Sequence, residues 1–176
     1  MFINSTILEL IKAEKSELKI IMSIINDAQK YLASLKIDQW QNGYPDATKI
    51  LSDINNRESY LVYNSSNQIV ATTMFTTKLE PTYSSINGKW LTPKNSIYGV
   101  IHRMAVGNNY RKLGVATYIF KYFETLLKSQ HINSMRIDTH EDNLGMQNLL
   151  KSLNYSYCGI IYLDNDDKRL AFEKLL

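Results

Sequence analysis

The residues best suited to chemistry gather around one join, Met104-Ala105-Val106-Gly107-Asn108-Asn109-Tyr110-Arg111-Lys112-Leu113-Gly114-Val115-Ala116. Before it, Ile97 to Val106 is rich in Ile, Val and Tyr, as a buried strand should be. After it, apolar residues at 115, 116, 119, 120, 123, 126 and 127 fall on one face of a helix. Glycine lets the backbone approach a ligand, and the free N–H groups of a helix start favour an anion. Arg111 and Lys112 put positive charge at the same place. The spacing predicts a phosphate or pyrophosphate cradle; the competing reading is a plain strand-to-helix turn with basic residues facing water. Neither the Walker pattern nor the three-glycine dinucleotide fingerprint is present.

Two histidines are candidates for proton transfer. His102 lies on the strand entering the join, where a base titrating near neutrality could accept an amine proton. The alternative is a packed strand histidine satisfied by a backbone partner. His140, in Asp138-Thr139-His140-Glu141-Asp142-Asn143, stands at the C-terminal end of the next strand, the edge where ligands gather in open α/β sheets. A surface-loop histidine is the plainer reading there. Histidines 102, 131 and 140 and the single cysteine, Cys158, have no metal-ligand spacing, so no metal is expected.

These groups must be positioned by the rest of the chain. Residues 6 to 12 read as a first strand, and apolar positions 18, 21, 22, 25, 28, 32 and 35 predict a long amphipathic helix from Ser16 to Leu35. A loop, Asp38-Gln39-Trp40-Gln41-Asn42-Gly43-Tyr44-Pro45, precedes a short helix starting at Pro45 and Asp46 and ending near Asn55. Ser59 to Tyr63 and Gln68 to Leu79 read as strands joined by the turn Asn64-Ser65-Ser66-Asn67. Residues 80 to 95 read as one long irregular loop, a kind of segment that is often functional. After the join come a strand over Ser134 to Thr139 and a helix over Leu144 to Leu153. Strands over Tyr155 to Leu163 and Arg169 to Lys174, around the turn Asp164 to Asp167, close the chain.

Arg111-Lys112-Leu113-Gly114-Val115-Ala116 after a Met-Ala-Val strand end resembles the acyl-CoA-binding signature, Gln/Arg-x-x-Gly-x-Gly/Ala, of the GNAT superfamily of N-acetyltransferases. The order β-α-α-β-β-β-α-β-α-β-β resembles that family over nearly the whole chain. It implies an α/β fold with a central mixed, mostly antiparallel sheet flanked by helices, whose fourth and fifth strands splay to admit the pantetheine arm of acetyl-CoA. By the same resemblance, the backbone of Met104, Ala105 and Val106 would hold pantetheine and thioester. The loop Arg111, Lys112, Leu113, Gly114, Val115 and Ala116 would hold the pyrophosphate, and Asn143 would contact the cofactor arm. Asn143 equally suits a helix N-cap, and the two roles are compatible. Lys112 stands where many members carry a second glycine, which the general pattern does not require.

Some arylalkylamine acetyltransferases have a histidine at the strand position of His102. Trp40, Tyr44 and Pro45 fall in the segment that walls the acceptor pocket in the family; aromatic residues there could stack on an apolar or cationic acceptor, or Trp40 could simply anchor its loop. Glu80 and Tyr83 are weaker pocket candidates. One departure stands out: Leu150 occupies the place of the tyrosine that often protonates the leaving thiolate, and leucine has no proton to give. Tyr155, Tyr157 and Cys158 lie nearby in sequence without matching the motif.

Bulk properties agree with a single domain over residues 1–176. A chain of 176 residues can bury roughly 70% of its unfolded surface. With 44% apolar and 21% charged residues the composition is ordinary. A net charge of +3, without a run of basic residues, argues against nucleic acid. One cysteine suits a reducing compartment, and neither a secretory signal nor a membrane span is indicated, so a cytoplasmic protein is expected. The expectation is an acetyl-CoA-dependent N-acetyltransferase acting by direct attack in a ternary complex, on a small amine or a peptide N-terminus, with a homodimer left open. In that scheme Cys158 is a small core residue and His102 or a water takes the amine proton. The alternative of a different class is an acyl-CoA sensor or partner-binding module of the same fold without turnover.

Overall fold

The computed structural model describes residues 7–176. Thr6, the first residue of the first expected strand, lies outside the described residues. The strands are β1 (Glu9–Lys12), β2 (Ser59–Tyr63), β3 (Ile69–Thr76), β4 (Asn87–Gly88), β5 (Gly99–Val106), β6 (Ser134–Thr139), β7 (Ser156–Tyr162) and β8 (Lys168–Leu175). The helices are α1 (Leu18–Ser34), α2 (Ala47–Asn55), α3 (Val115–Ser129) and α4 (Leu144–Ser152). The sheet has the strand order β1-β2-β3-β5-β6-β8-β7-β4. β5 and β6 run parallel, and β1–β2, β2–β3, β4–β7, β6–β8 and β7–β8 run antiparallel. This is the expected mixed, mostly antiparallel α/β fold.

The chain falls into two compact units, one holding residues up to Phe75 with Arg103–Ile119 and the other Thr76–His102 with Phe120–Leu176. In the first unit, α1 buries Ile21, Ile24, Ile25, Ala28 and Leu32. These fall at helical spacing, so the helix turns one apolar stripe inward. Ile21, Ile24, Ile25 and Ala28 pack with Ile50 and Ile54 of α2, with Leu61 and with Ala105. Each isoleucine or leucine among them contributes about 1.5–3 kcal/mol on burial. α2 starts where expected because Asp46 caps it, its Oδ1 accepting from the Lys49 amide at 2.8 Å. The β2–β3 turn is held by Asn64, whose Oδ1 accepts from the amides of Ser66 and Gln68.

In the second unit, Tyr83, Trp90, Tyr98, Val100, Cys158, Ile161 and Ala171 form one buried cluster. Here the structure corrects the expected irregular loop over residues 80 to 95. Pro81–Ser84 is a 3₁₀ turn, and Asn87–Gly88 adds the short strand β4 against β7. Gly88 and Gly159 allow it: a Cβ on Gly88 would stand 2.2 Å from the Cys158 carbonyl oxygen, and one on Gly159 would stand 2.3 Å from that of Asn87. Only two facing glycines permit so close an approach of the backbones. The parallel β5–β6 ladder covers Gly99↔Met135 and Val100↔Arg136 and stops there. Carried on two residues, that register sets His102 beside Asp138.

Candidate functional site

In the first unit, the join between β5 and α3 has the geometry of an anion cradle. A 3₁₀ turn over Asn108–Tyr110 is fixed by the Tyr110 amide donating to the Gly107 carbonyl and by the Gly107 amide donating to Val70. Lys112 and Gly114 then take positive φ, 62° and 81°. The Tyr118 amide donates to the Gly114 carbonyl at 2.9 Å, opening α3. The amides of Val115, Ala116 and Thr117 therefore precede the first helical bond and have no carbonyl partner in their own helix. Nothing lies within 4 Å of a Cβ built on Gly114, and Lys112, Leu113 and Gly114 are exposed. Amides without a partner in their own helix, an exposed lysine and open space over a glycine fit a pyrophosphate.

Arg111 is more engaged than the sequence implied. Its guanidinium lies 3.8 Å from the centroid of the Tyr31 ring of α1, and its Nε donates to the Val106 carbonyl at 3.5 Å. Val115 is buried, and Ala105 belongs to the core beneath α1 and α2, so these two offer a ligand only backbone. Met104, Val106 and Ala116 are half-buried.

Next to Met104, Arg103 takes a φ of +50°, rare for a residue with a Cβ. A buried fork holds it there. Nε and Nη2 donate to the Asp53 carboxylate at 2.6 and 3.0 Å, and Nη1 donates to the Tyr44 hydroxyl at 2.6 Å. Tyr44 is thus tied to the strand entering the join, while Trp40 packs against the α1–α2 core as a loop anchor.

In the second unit, four predicted or neighbouring residues converge. His102 places Nε2 3.0 Å from Glu80 Oε2 and Nδ1 3.8 Å from Asp138 Oδ1. Tyr83 donates its hydroxyl to the same Asp138 oxygen at 2.7 Å. Burial, reinforced by Asp138, pushes the Tyr83 phenol well above its ordinary range, so it stays a neutral donor. Glu80 is steadied by the Thr82 hydroxyl, which donates to its Oε1, while its amide donates to the Tyr98 hydroxyl. His102 and Asp138 keep 20% and 12% of their side-chain surface open. The sequence reading missed Asp138, which shares its short strand with a second charged residue, Arg136, and with Ser134 and Thr139.

The other candidates sit apart in role. His140 is mostly covered, and its Nδ1 accepts from the Asp142 amide at 3.2 Å, which shapes the turn into α4. Asn143 is the N-cap of α4, its Oδ1 accepting from the Met146 amide at 3.1 Å. Leu150 is fully buried. Tyr155 is committed to Glu124 at 3.0 Å, and its phenol is raised chiefly by burial. Burial also pushes the Cys158 thiol up, as for a core cysteine rather than a nucleophile. Among the described residues no group of three His, Cys, Asp or Glu could hold a metal ion, and no helix is long and apolar enough to cross a membrane.

Known proteins share this fold. The model of the acetyltransferase (GNAT) family matches residues 25–155. A GNAT-family acetyltransferase of Streptococcus agalactiae is 32% identical, with a TM-score of 0.85 over 96% of this chain and 95% of that one. One from Listeria monocytogenes shares the fold at 14% identity, with a TM-score of 0.77 over 100% and 99% of the two chains. The NatC complex, in a structure with Gag peptide and CoA, shares it at 12% identity, with a TM-score of 0.66 over 96% and 98%. Among curated proteins no match was found. A family model spanning most of the chain and a close relative along nearly its full length lead to one assignment: the chain belongs to the GNAT family of acetyltransferases, enzymes of acyl transfer.

Proposed function

We propose that the chain acts as one catalytic domain transferring acetyl from acetyl-CoA to a primary amine by direct attack within a ternary complex. The observation that carries this is the His102 ring, flanked by Glu80 at 3.0 Å and Asp138 at 3.8 Å, on the strand that leads into the anion cradle. Acetyl-CoA supplies an acetyl thioester when bound. The cradle from Arg111 to Ala116 holds its pyrophosphate through backbone amides, and the Met104–Val106 backbone lines its arm.

The His102 ring, held at Nε2 by Glu80, takes one proton from the substrate ammonium. The freed amine lone pair forms the C–N bond, the C–S bond breaks, and the thiol leaves. The sum is ammonium plus thioester giving amide, thiol and one proton. No protein nucleophile is needed, in keeping with the buried Cys158. Calorimetric titration with acetyl-CoA followed by thiol release across an amine panel tests the reading. Binding with release supports it; binding without release means a sensor, and absence of binding overturns the cradle.

Two variants test the cradle itself. Gly114→Val puts a branched side chain at a φ of +81° and into the open space above the loop. Acetyl-CoA should bind at least about tenfold more weakly while the protein stays folded, because a positive φ costs of order 1–3 kcal/mol and the space is solvent-facing. An unchanged calorimetric affinity would sink the assignment. Tyr31→Ala removes the ring under Arg111. A cation–π contact is worth about 0.5–1 kcal/mol at such a site, so KM for acetyl-CoA should rise roughly two- to fivefold with kcat held.

A further inference from the structure

The strand that leads into the cradle carries one conformational anomaly. Arg103 sits inside β5 at a φ of +50°, a region that a residue with a Cβ leaves unless its surroundings hold it there. Resting on the reading above, we propose that Asp53 of α2 is a positioning residue for the acyl donor. Through Arg103 it fixes the direction of the Met104–Val106 peptide groups, and so sets how firmly the arm of acetyl-CoA is held.

The short helix α2 buries Ile50, Asp53 and Ile54. That spacing puts a carboxylate on the inward stripe of the helix, where a lone charge would be costly. The Asp53 side chain keeps only 3% of its surface and that of Arg103 only 6%, so each is tolerated through the other. The guanidinium is planar and gives two N–H bonds to the one carboxylate, at 2.6 and 3.0 Å. Such a fork fixes orientation as well as distance. Lys49, another cation near Asp53, lies 3.8 Å away and is half-buried; a single ammonium at that range supplies charge without a fork.

A left-handed residue inside a strand breaks the regular pleat and re-aims the peptide groups that follow it. Here those groups belong to Met104, Ala105 and Val106. Beyond Arg103 the strand is pinned again, because Ala105 packs with residues of α1 and α2 and the Gly107 amide donates to the Val70 carbonyl at 2.9 Å. The third arm of Arg103 donates to the Tyr44 hydroxyl, and Gln29 of α1 donates to the Tyr44 carbonyl at 3.0 Å. The guanidinium is therefore held from two directions, and the backbone follows it. Asp53, covered by its own helix and strand, acts only through Arg103.

The test measures by calorimetry the affinity of the whole chain for acetyl-CoA and for ADP, which carries the pyrophosphate and lacks the arm. Asp53→Asn and Arg103→Lys should each shrink the advantage of acetyl-CoA over ADP by at least about tenfold, with ADP affinity held. Ile54→Ala, on the same face of α2 but outside the fork, should lower the melting temperature and leave that advantage as it was. A second pair leaves no lone charge buried: Asp53→Asn combined with Arg103→Gly, and Asp53→Asn combined with Arg103→Ala. Glycine takes a positive φ freely and alanine does not, so the glycine pair should keep more of the advantage. This comparison decides the matter where a single variant does not fold. An advantage unmoved in the single variants, an equal loss in Ile54→Ala, or glycine no better than alanine would overturn the proposal. Failure of the parent to bind acetyl-CoA would remove it together with the cradle beneath it, whereas a binding parent with an unmoved advantage removes the role of Asp53 alone.

Discussion

Replacing His102 with glutamine should lower kcat/KM for an amine acceptor by about 10²- to 10⁴-fold, the usual span for loss of a general base. Glutamine keeps a polar group within reach of Glu80 but has no nitrogen that can accept the amine proton. Because His102 is only partly covered and its partners stay in place, the melting temperature should shift little. Acetyl-CoA affinity should be unchanged, since the cradle draws on Arg111 to Ala116 rather than on this ring. The assay is thiol release over a range of pH, paired with calorimetry. Activity within tenfold of the parent would remove His102 from the mechanism and leave the proton to solvent.

The second large effect is on stability. Glu173→Ala should cost about 3–5 kcal/mol, the range for stripping one partner from a buried ion pair, and should lower the melting temperature by roughly 6–20 °C. Glu173 is fully buried, opposite Arg136 across the β6–β8 ladder. It accepts from the hydroxyls of Ser134 and Thr92, from the amides of Leu91 and Thr92, and from Arg136 Nε. The Arg136 guanidinium lies 4.0 Å from the Tyr98 ring centroid and 4.4 Å from that of Trp90. The variant would leave a guanidinium buried without its anion. Arg136→Leu combined with Glu173→Leu should cost less than either single change, because no lone charge remains.

The same carboxyl predicts a pH dependence. Burial alone would raise the Glu173 pKa, but the bonds from Ser134, Thr92 and Arg136 outweigh it and the net value is lowered. A depressed folded pKa contributes stability in full above the unfolded value, near 4.3, and loses it as pH falls through the folded value. The gap in melting temperature between the parent and Glu173→Gln should therefore narrow below about pH 4. A constant gap from pH 7 to pH 3 would refute this account.

Three parts of the chain were legible for local reasons. The stripe of α1, the Asp46 cap of α2 and the Asn64 turn each follow from residues within a few positions of one another, where spacing alone fixes geometry. The start of α3 at Val115, after Gly114, was local in the same way. The long loop was misread because its strand β4 exists only through Gly159, far along the chain, which permits Gly88 to approach. Asp138 was overlooked because its function comes from a parallel register with β5 that no local pattern encodes.

By itself, then, the sequence determined the order of the helices and of every strand but β4, and the family resemblance, all of which rest on short-range periodicity and turn chemistry. Tertiary structure alone decided the rest. It set His102 between Glu80 and Asp138, closed Arg103 on Asp53 and Tyr44, stacked Arg111 on Tyr31 and buried Arg136 against Glu173. Each of these joins residues more than twenty positions apart. Whether a charge meets a partner or water depends on strand register and helix packing, which the whole chain settles together.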